Sequence, residues 1–183
     1  NFLSEEGRCL PGVELTSRSV LRIGVALLGV RITLDQVMAL GLWPVLMVVG
    51  AVVSTILVGW GLARMMGLGR DHGLLSGGAV AICGASAAMA LSLVLPRDDK
   101  SEQRTIVTVV GVTTLSTLAM ILYPVVVSFL SMDNFTAGIF LGGTIHDVAQ
   151  VVGAGFMIST ETGDVSTLIK LMRVAMLVPV VFL

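Results

Sequence analysis

Charged side chains are scarce in this chain of 183 residues: Asp, Glu, Lys and Arg together make up 13%, against roughly 25% in an average soluble protein. With 11 basic and 12 acidic side chains, the chain lacks the basic surface that follows a phosphate backbone. Aromatic residues make up 5%, too few to stack on a series of bases. The composition therefore excludes nucleic-acid binding and argues against a soluble domain.

Sequence motifs for metals, cofactors and ATP are missing as well. The two cysteines, Cys9 and Cys83, lie in a polar and an apolar segment, which argues against a disulfide framework. The chain contains no CxxC pair, no HExxH helix and no GxxxxGKS/T loop, the usual motifs for zinc and for nucleotide phosphates. We expect no metal site, no cofactor and no ATP hydrolysis.

Long apolar runs are what the sequence has in abundance. Hydrophobic residues make up 55%, the mean hydropathy is +0.98, and glycine occupies 21 positions. Residues 36–63, 72–96 and 105–132 contain no Asp, Glu, Lys or Arg, and each run exceeds the roughly 20 residues that a bilayer-crossing helix needs. The sequence therefore predicts an all-α, polytopic membrane helix bundle.

We expect residues 1–183 to form a single transmembrane domain that belongs to a longer chain. The sequence has no initiator Met, and its last apolar stretch ends after 16 residues without a polar flank. Apolar periodicity and turn residues predict the helices at roughly these positions: 16–30, 42–63, 73–95, 104–130, 135–157 and 168–183.

The segment 76–92 differs from a simple membrane span, because thirteen of its seventeen residues are Gly, Ala, Ser or Cys. One interpretation is tight helix packing through small residues. The other is that Gly77-Gly78 and Gly84 break the helix and free backbone groups for a substrate or an ion, in a discontinuous or re-entrant segment. The second interpretation makes these residues candidates for binding: Gly78, Cys83, Gly84 and Ser86.

A second unusual segment, 142–155, has the sequence GGTIHDVAQVVGAG. On a continuous helix, Gly143, His146, Asp147, Gln150 and Ala154 would share one face. Ionisable groups are costly in a bilayer, so an intramembrane His-Asp pair indicates a function; the alternative is a structural pair that joins two helices. The binding candidates from this segment are Gly143, Thr144, His146, Asp147 and Gln150.

Three basic residues complete the candidate site. Arg173 offers a permanent charge that can hold two oxygens of an anion at once, or it can neutralise Asp147. Lys170 is expected nearer the membrane surface, as an accessory charge. Arg22 is a second accessory candidate, on the first helix, where snorkelling to the headgroups is the simpler interpretation.

Five stretches carry a resemblance to a known family: 21–25 (LRIGV), 28–31 (LGVR), 81–87 (AICGASA), 143–152 (GTIHDVAQVV) and 170–174 (KLMRV). Through them the whole chain resembles the YeiH-type family of sulfate exporters, although that family commonly has Glu at the position of Asp147. The resemblance implies a bacterial inner-membrane, multi-pass transporter of about ten helices, distantly similar to the bile-acid and sodium/proton antiporter folds with inverted repeats. It also implies helices that lie outside this sequence.

Three functions compete. The leading one is a secondary transporter, by resemblance an exporter, of a small anion such as sulfate, a sulfonate or a carboxylate. It would lie in the lipid bilayer, couple to a proton or a sodium ion, and be compatible with an oligomer. The second is an intramembrane enzyme with His146 as base and Asp147 as its orienting partner, a poor geometry because adjacent helical residues diverge by about 100°. The third is a membrane scaffold without transport.

Overall fold

The computed structural model describes residues 41–96 and 98–181, and in these ranges every regular element is a helix. This confirms the all-α prediction. The elements, in chain order, are α1 (Leu42–Met65), α2 (Arg70–Ala81), α3 (Ala85–Val94), α4 (Ser101–Phe129), α5 (Asn134–Thr144), α6 (Val148–Ile158), α7 (Thr160–Ala175) and α8 (Leu177–Val181). The predicted helix 16–30 lies outside the described residues.

Helices α1 and α4 are long and apolar enough to cross a membrane. At 1.5 Å per residue, their 24 and 29 residues extend about 36 and 44 Å, more than the roughly 30 Å hydrocarbon core of a bilayer. Many of their large apolar side chains are exposed, among them Leu57 on α1 and Ile121 on α4. Both helices therefore present the apolar outer surface that lipid requires.

Helices α2 and α3 form a first hairpin. Leu75 and Ala79 of α2 pack in one core cluster with Ala88 and Leu91 of α3, so the two helices run in opposite directions. The start of α2, the end of α3 and the start of α4 line the same cavity, with these residues: Asp71, Leu75, Ser92, Leu95, Pro96, Ser101, Arg104 and Thr105. The segment thus enters and leaves at one end of α4, which makes it re-entrant.

The first hairpin turns at residues 82–84, named here the first tip. Gly84 has φ +68°, a conformation that side chains with a Cβ rarely adopt, and its amide bonds back to the carbonyl of Ala79 at 2.8 Å. The prediction that Gly77-Gly78 breaks the helix is wrong, because both residues lie inside α2. Gly77 instead allows the α2 backbone to approach Ile56 and Gly59 of α1.

Helices α5 and α6 form a second hairpin, which turns at residues 145–147, named here the second tip. The carbonyl of Asn134 accepts a bond from the Thr162 hydroxyl at 3.1 Å, and the Asn134 amide donates to Glu161 at 3.1 Å. The start of α5 therefore lies beside the start of α7, which directly follows α6. This segment is also re-entrant, and it opens where α4 ends.

Helix α7 begins eight residues before the predicted helix 168–183. Ser159 sets its start, since its hydroxyl oxygen accepts the amide of Thr162 at 3.0 Å. The helix packs tightly between α5 and α6: a Cβ at Gly138 would lie 2.6 Å from Val165 Cβ, and one at Gly155 would lie 2.9 Å from Gly163 Cα. Its last two turns thereby reach the hairpin tips.

The two tips meet about half-way along α4. A Cβ at Gly84 would lie 3.1 Å from Val112 of α4, and the amide of Asp147 donates to the Ser116 hydroxyl at 3.1 Å. Ser116 is the sixteenth of the 29 residues of α4. Two hairpins that enter from opposite ends of α4 thus place both tips near its middle, which is where we expect the centre of the bilayer.

Charge differs between the two ends of α4. The described basic residues outside α7 lie at the first end: Arg64, Arg70, Lys100 and Arg104. Residues 131–167, which include the second end, contain no Lys or Arg. There Asp133 caps α5, and its bond from the Thr136 amide lowers the pKa of that carboxyl. Because cytoplasmic loops collect Lys and Arg, we expect the first end to be cytoplasmic.

Cysteines introduced at Asp71 and Asp99 should be labelled from the same side of the membrane, since both positions lie at the open end of the first hairpin. A cysteine at Asp164 should be labelled from the other side. The measurement uses an impermeant thiol reagent on vesicles of both orientations, with Cys9 and Cys83 replaced by Ala. Labelling of positions 71 and 99 from opposite sides would show that the segment crosses the membrane.

Candidate functional site

The candidate site is the place where the two tips touch. A Cβ at Gly84 would lie 3.8 Å from His146 Cβ and 3.9 Å from the His146 carbonyl oxygen. Ile82 of the first tip and Ile145 of the second are both fully buried. The helical stripe predicted from Gly143 to Ala154 is therefore wrong: the chain leaves the helix at 145–147, and His146 and Asp147 belong to a turn.

Lys170 of α7 joins the two tips. Its Nζ donates to the carbonyl of Ile82 at 2.7 Å and to the carbonyl of Ile145 at 3.0 Å, and its relative exposure is 0%. The prediction that Lys170 lies nearer the membrane surface is wrong. Because α7 begins at Thr160, Lys170 is the eleventh residue of the helix and reaches the level of the tips.

Arg173, one turn further along α7, makes a parallel connection. Its Nε donates to Ala81 at 2.9 Å, Nη2 to Val80 at 3.0 Å and to Ala81 at 2.5 Å, and Nη1 to Gly143 at 2.5 Å and Gly142 at 3.4 Å. These five hydrogen bonds go to four backbone carbonyls at the ends of α2 and α5. The guanidinium therefore binds both hairpins.

One of the predicted alternatives, that Arg173 forms an ion pair with Asp147, is wrong in this structure. Within residues 41–96 and 98–181, the pair closer than 4 Å joins Arg104 to Asp98, at the first end of α4. The Asp147 carboxylate accepts the amides of Ala149 at 2.9 Å and Gln150 at 3.2 Å. It thus caps the start of α6.

The four helix ends at the tips are neutralised unequally. The carbonyl ends of α2 and α5, which carry partial negative charge, face Lys170 and Arg173. The amide end of α6, which carries partial positive charge, faces the Asp147 carboxylate. The amide end of α3 begins at Gly84 and has no side-chain cap among the described residues.

A polar contact on α4 fixes the second tip, and the sequence analysis did not single it out. Ser116 is 1% exposed; its hydroxyl accepts the Asp147 amide and donates to the side-chain oxygen of Gln150. The Gln150 amide donates to Thr117 at 3.1 Å. Seven Ser and Thr residues lie in 104–130, and only the four-residue spacing of Thr108, Val112 and Ser116 marks the buried face.

The other predicted residues lie around the tips in different environments. Cys83 is a buried free thiol, whereas Ser86 is exposed on α3. His146 is partly buried, and its Nδ1 has no hydrogen-bond partner among the described residues. Thr144 bonds to the Phe140 carbonyl of its own helix at 2.6 Å.

Three further candidates lie away from the point of contact. Gly78 packs against Leu91 inside the first hairpin. A Cβ at Gly143 would meet nothing within 4 Å. Arg22 lies outside the described residues, and among those described no group of three His, Cys, Asp or Glu side chains could hold a metal ion.

Comparison with known proteins shows that the chain is similar in sequence to proteins named as membrane proteins. The profile of the family described as conserved hypothetical protein 698 matches residues 1–183. The chain is 61% identical over 183 residues to UPF0324 membrane protein CT0845 of Chlorobaculum tepidum, and covers 51% of it. It is 58% identical over 183 residues to UPF0324 membrane protein RB0971 of Rhizobium meliloti, and covers 53% of it. It is 56% identical over 182 residues to UPF0324 membrane protein TauZ of Paracoccus pantotrophus, and covers 54% of it.

All of the chain aligns with the first two of these relatives and 99% of it with the third. The chain spans about half the length of the curated relatives it matches. No solved structure matches it.

Proposed function

The chain belongs to the family of conserved hypothetical protein 698, the UPF0324 membrane proteins, and we propose that it carries the substrate site of a secondary transporter for a small anion. The membership confirms the resemblance to the YeiH-type family. Sulfate, an organic sulfonate or a carboxylate are the substrates we favour. We place the transporter in a bacterial inner membrane as a multi-pass protein, and propose no enzymatic activity.

The observation that carries the proposal is the pair of buried cations between the tips. With Lys170 protonated, Lys170 and Arg173 contribute two positive charges, and Asp147 contributes one negative charge. The partial charges of two helix amide ends and two carbonyl ends cancel to a first approximation. One positive charge is left near mid-membrane, where an unneutralised charge is costly. A monovalent anion, such as a sulfonate or a carboxylate, would neutralise it.

The paired hairpins also suit alternating access. One hairpin opens at each end of α4, and the tips separate the two openings. Substrate sites in secondary transporters commonly lie at the midplane, between broken helices of two opposed segments. A site between two such tips can be reached from either side in turn, which a scaffold would not need.

Uptake of radiolabelled sulfate, methanesulfonate and acetate into proteoliposomes that contain the intact protein tests the proposal. At least one anion should exchange against itself, well above protein-free liposomes, and should be recovered chemically unchanged. An Asp164→Asn variant, altered at an exposed surface position, should exchange normally. Absence of exchange for all three anions would contradict the transporter proposal, and a chemically altered anion would favour the enzyme.

A further inference from the structure

The carbonyls of Ile82 and Ile145 converge on one point from opposite hairpins. Both belong to unwound tips, and carbonyls of unwound segments are the groups with which broken-helix transporters commonly hold a coupling cation. Here the point is taken by Lys170 Nζ, at 2.7 and 3.0 Å from the two oxygens. The Lys170 ammonium thus occupies the position that a sodium ion would take, and it uses the two carbonyls that such an ion would need as ligands.

We propose that Lys170 is the proton carrier of the transport cycle, so that a proton rather than a sodium ion accompanies the anion. This inference rests on the proposed function and names its coupling ion. The proton binds to the lone pair of Nζ from water on one side of the membrane and leaves from the same atom to water on the other side. Only an N–H bond forms and breaks, without oxidation or reduction.

The hydrogen bonds of Lys170 are compatible with both protonation states. A neutral amine has two N–H donors, and Nζ has two acceptors in the described part of the chain, Ile82 and Ile145. The ammonium form has a third N–H, which is the proton that can be given up while both bonds to the tips persist. The connection between the hairpins therefore does not depend on the charge of Lys170.

Charge balance links this proton to the anion. Arg173 stays protonated and is matched in charge by Asp147, so a neutral Lys170 leaves the tips without excess charge. A monovalent anion between the tips, such as a sulfonate or a carboxylate, adds one negative charge and is matched when Lys170 becomes an ammonium. Binding of the anion and uptake of a proton should therefore occur together, and the two should travel in the same direction.

Three other ionisable groups near Lys170, those of Asp147, Cys83 and Arg173, are less suited to this role. Asp147 uses its carboxylate to cap α6, and protonation would weaken those two bonds. Cys83, on the first tip, is neutral as a thiol and becomes negative when it loses its proton, so its protonated form adds no positive charge to match the anion. Arg173 does not titrate. His146, on the second tip, is the alternative that the sequence suggested, and it is therefore the matched comparison for Lys170.

Proton uptake on anion binding tests the inference. The intact protein in detergent, weakly buffered and with a pH-indicator dye, is mixed with sulfate, methanesulfonate or acetate between about pH 6 and 10. Within part of this range, wild-type protein should take up about one proton per bound methanesulfonate or acetate. Lys170→Arg keeps the charge but cannot release a proton, so it should bind anion without uptake, whereas His146→Gln should retain uptake.

A second measurement needs no variant at Lys170. In wild-type proteoliposomes, replacing sodium with potassium should leave the initial rate of anion flux unchanged, and an inward proton gradient should drive accumulation. Anion binding without proton uptake, uptake that survives in Lys170→Arg, or a requirement for sodium would each overturn the inference while leaving the transporter intact. If none of the three anions binds, the transporter proposal fails and this inference fails with it.

Discussion

Replacement of Arg173 with Gln should abolish anion exchange and should lower the melting temperature of the intact protein by a large amount. The guanidinium serves four carbonyls, those of Val80, Ala81, Gly142 and Gly143, and a glutamine amide has two N–H donors. Each buried acceptor left without a donor costs about 1–3 kcal/mol, so the loss should be at least about 2 kcal/mol. Thermal unfolding in detergent and proteoliposome exchange measure both effects.

Two further variants serve as controls for the Arg173→Gln result. Arg104→Gln removes the arginine of the partly exposed pair with Asp98 and should cost less than about 1 kcal/mol. The double change Arg173→Gln with Asp147→Asn should not restore stability or exchange, because the two side chains do not pair. Restoration by the second substitution would contradict the structure and return Arg173 to the role of a counter-ion.

Gly142→Ala should destabilise the protein by about 1–3 kcal/mol, the usual range for overpacking, and should strongly reduce exchange. Its Cβ would overlap the carbonyl oxygen of Ser166 and lie 2.8 Å from Ile169 Cβ. Both neighbours belong to α7, so α5 would have to move away from the helix that carries Lys170 and Arg173. Melting temperature and anion exchange are again the measurements.

The adjacent glycine supplies the control. A Cβ at Gly143 would meet nothing within 4 Å, and alanine in a helix is favoured over glycine by about 0.5–1 kcal/mol. Gly143→Ala should therefore leave the melting temperature unchanged or raise it slightly. Equal losses in the two variants would show that the helix break near these residues, rather than the contact of α5 with α7, sets the sensitivity.

Sequence patterns were sufficient for the helical class and for the presence of two interrupted segments. Composition marks apolar helices directly, and Gly84 lies at the break because its φ of +68° suits glycine. The patterns could not give the depth of Lys170, which depends on where α7 begins. Nor could they show the bonds from Lys170 to Ile82, 88 positions away, because local periodicity carries no information on such pairs.

The direction of the interrupted segments was also beyond the sequence. Basic residues flank segment 73–95 on both sides, a pattern that left re-entry and crossing equally open. The common cavity of Asp71, Leu95 and Arg104 brings the two flanks to one end of α4. The basic residues of both flanks therefore lie on one side of the membrane, as the positive-inside rule expects. Helical periodicity also did not reveal that the helix is interrupted at 145–147. Three non-helical residues are too few to change the apolar pattern around them.

Glycine contacts tie each hairpin stiffly to one neighbouring helix. A Cβ at Gly59 would lie 2.7 Å from Gly77 Cα, between α1 and α2, and one at Gly155 would lie 2.9 Å from Gly163 Cα, between α6 and α7. Because these contacts are made by backbone atoms, the helices cannot move past one another by changes of side-chain rotamer. The long side chains of Lys170 and Arg173 can instead exchange one carbonyl for the next. We therefore expect motion between the two hairpins to occur where Lys170 and Arg173 connect them, which is also the proposed path of the anion.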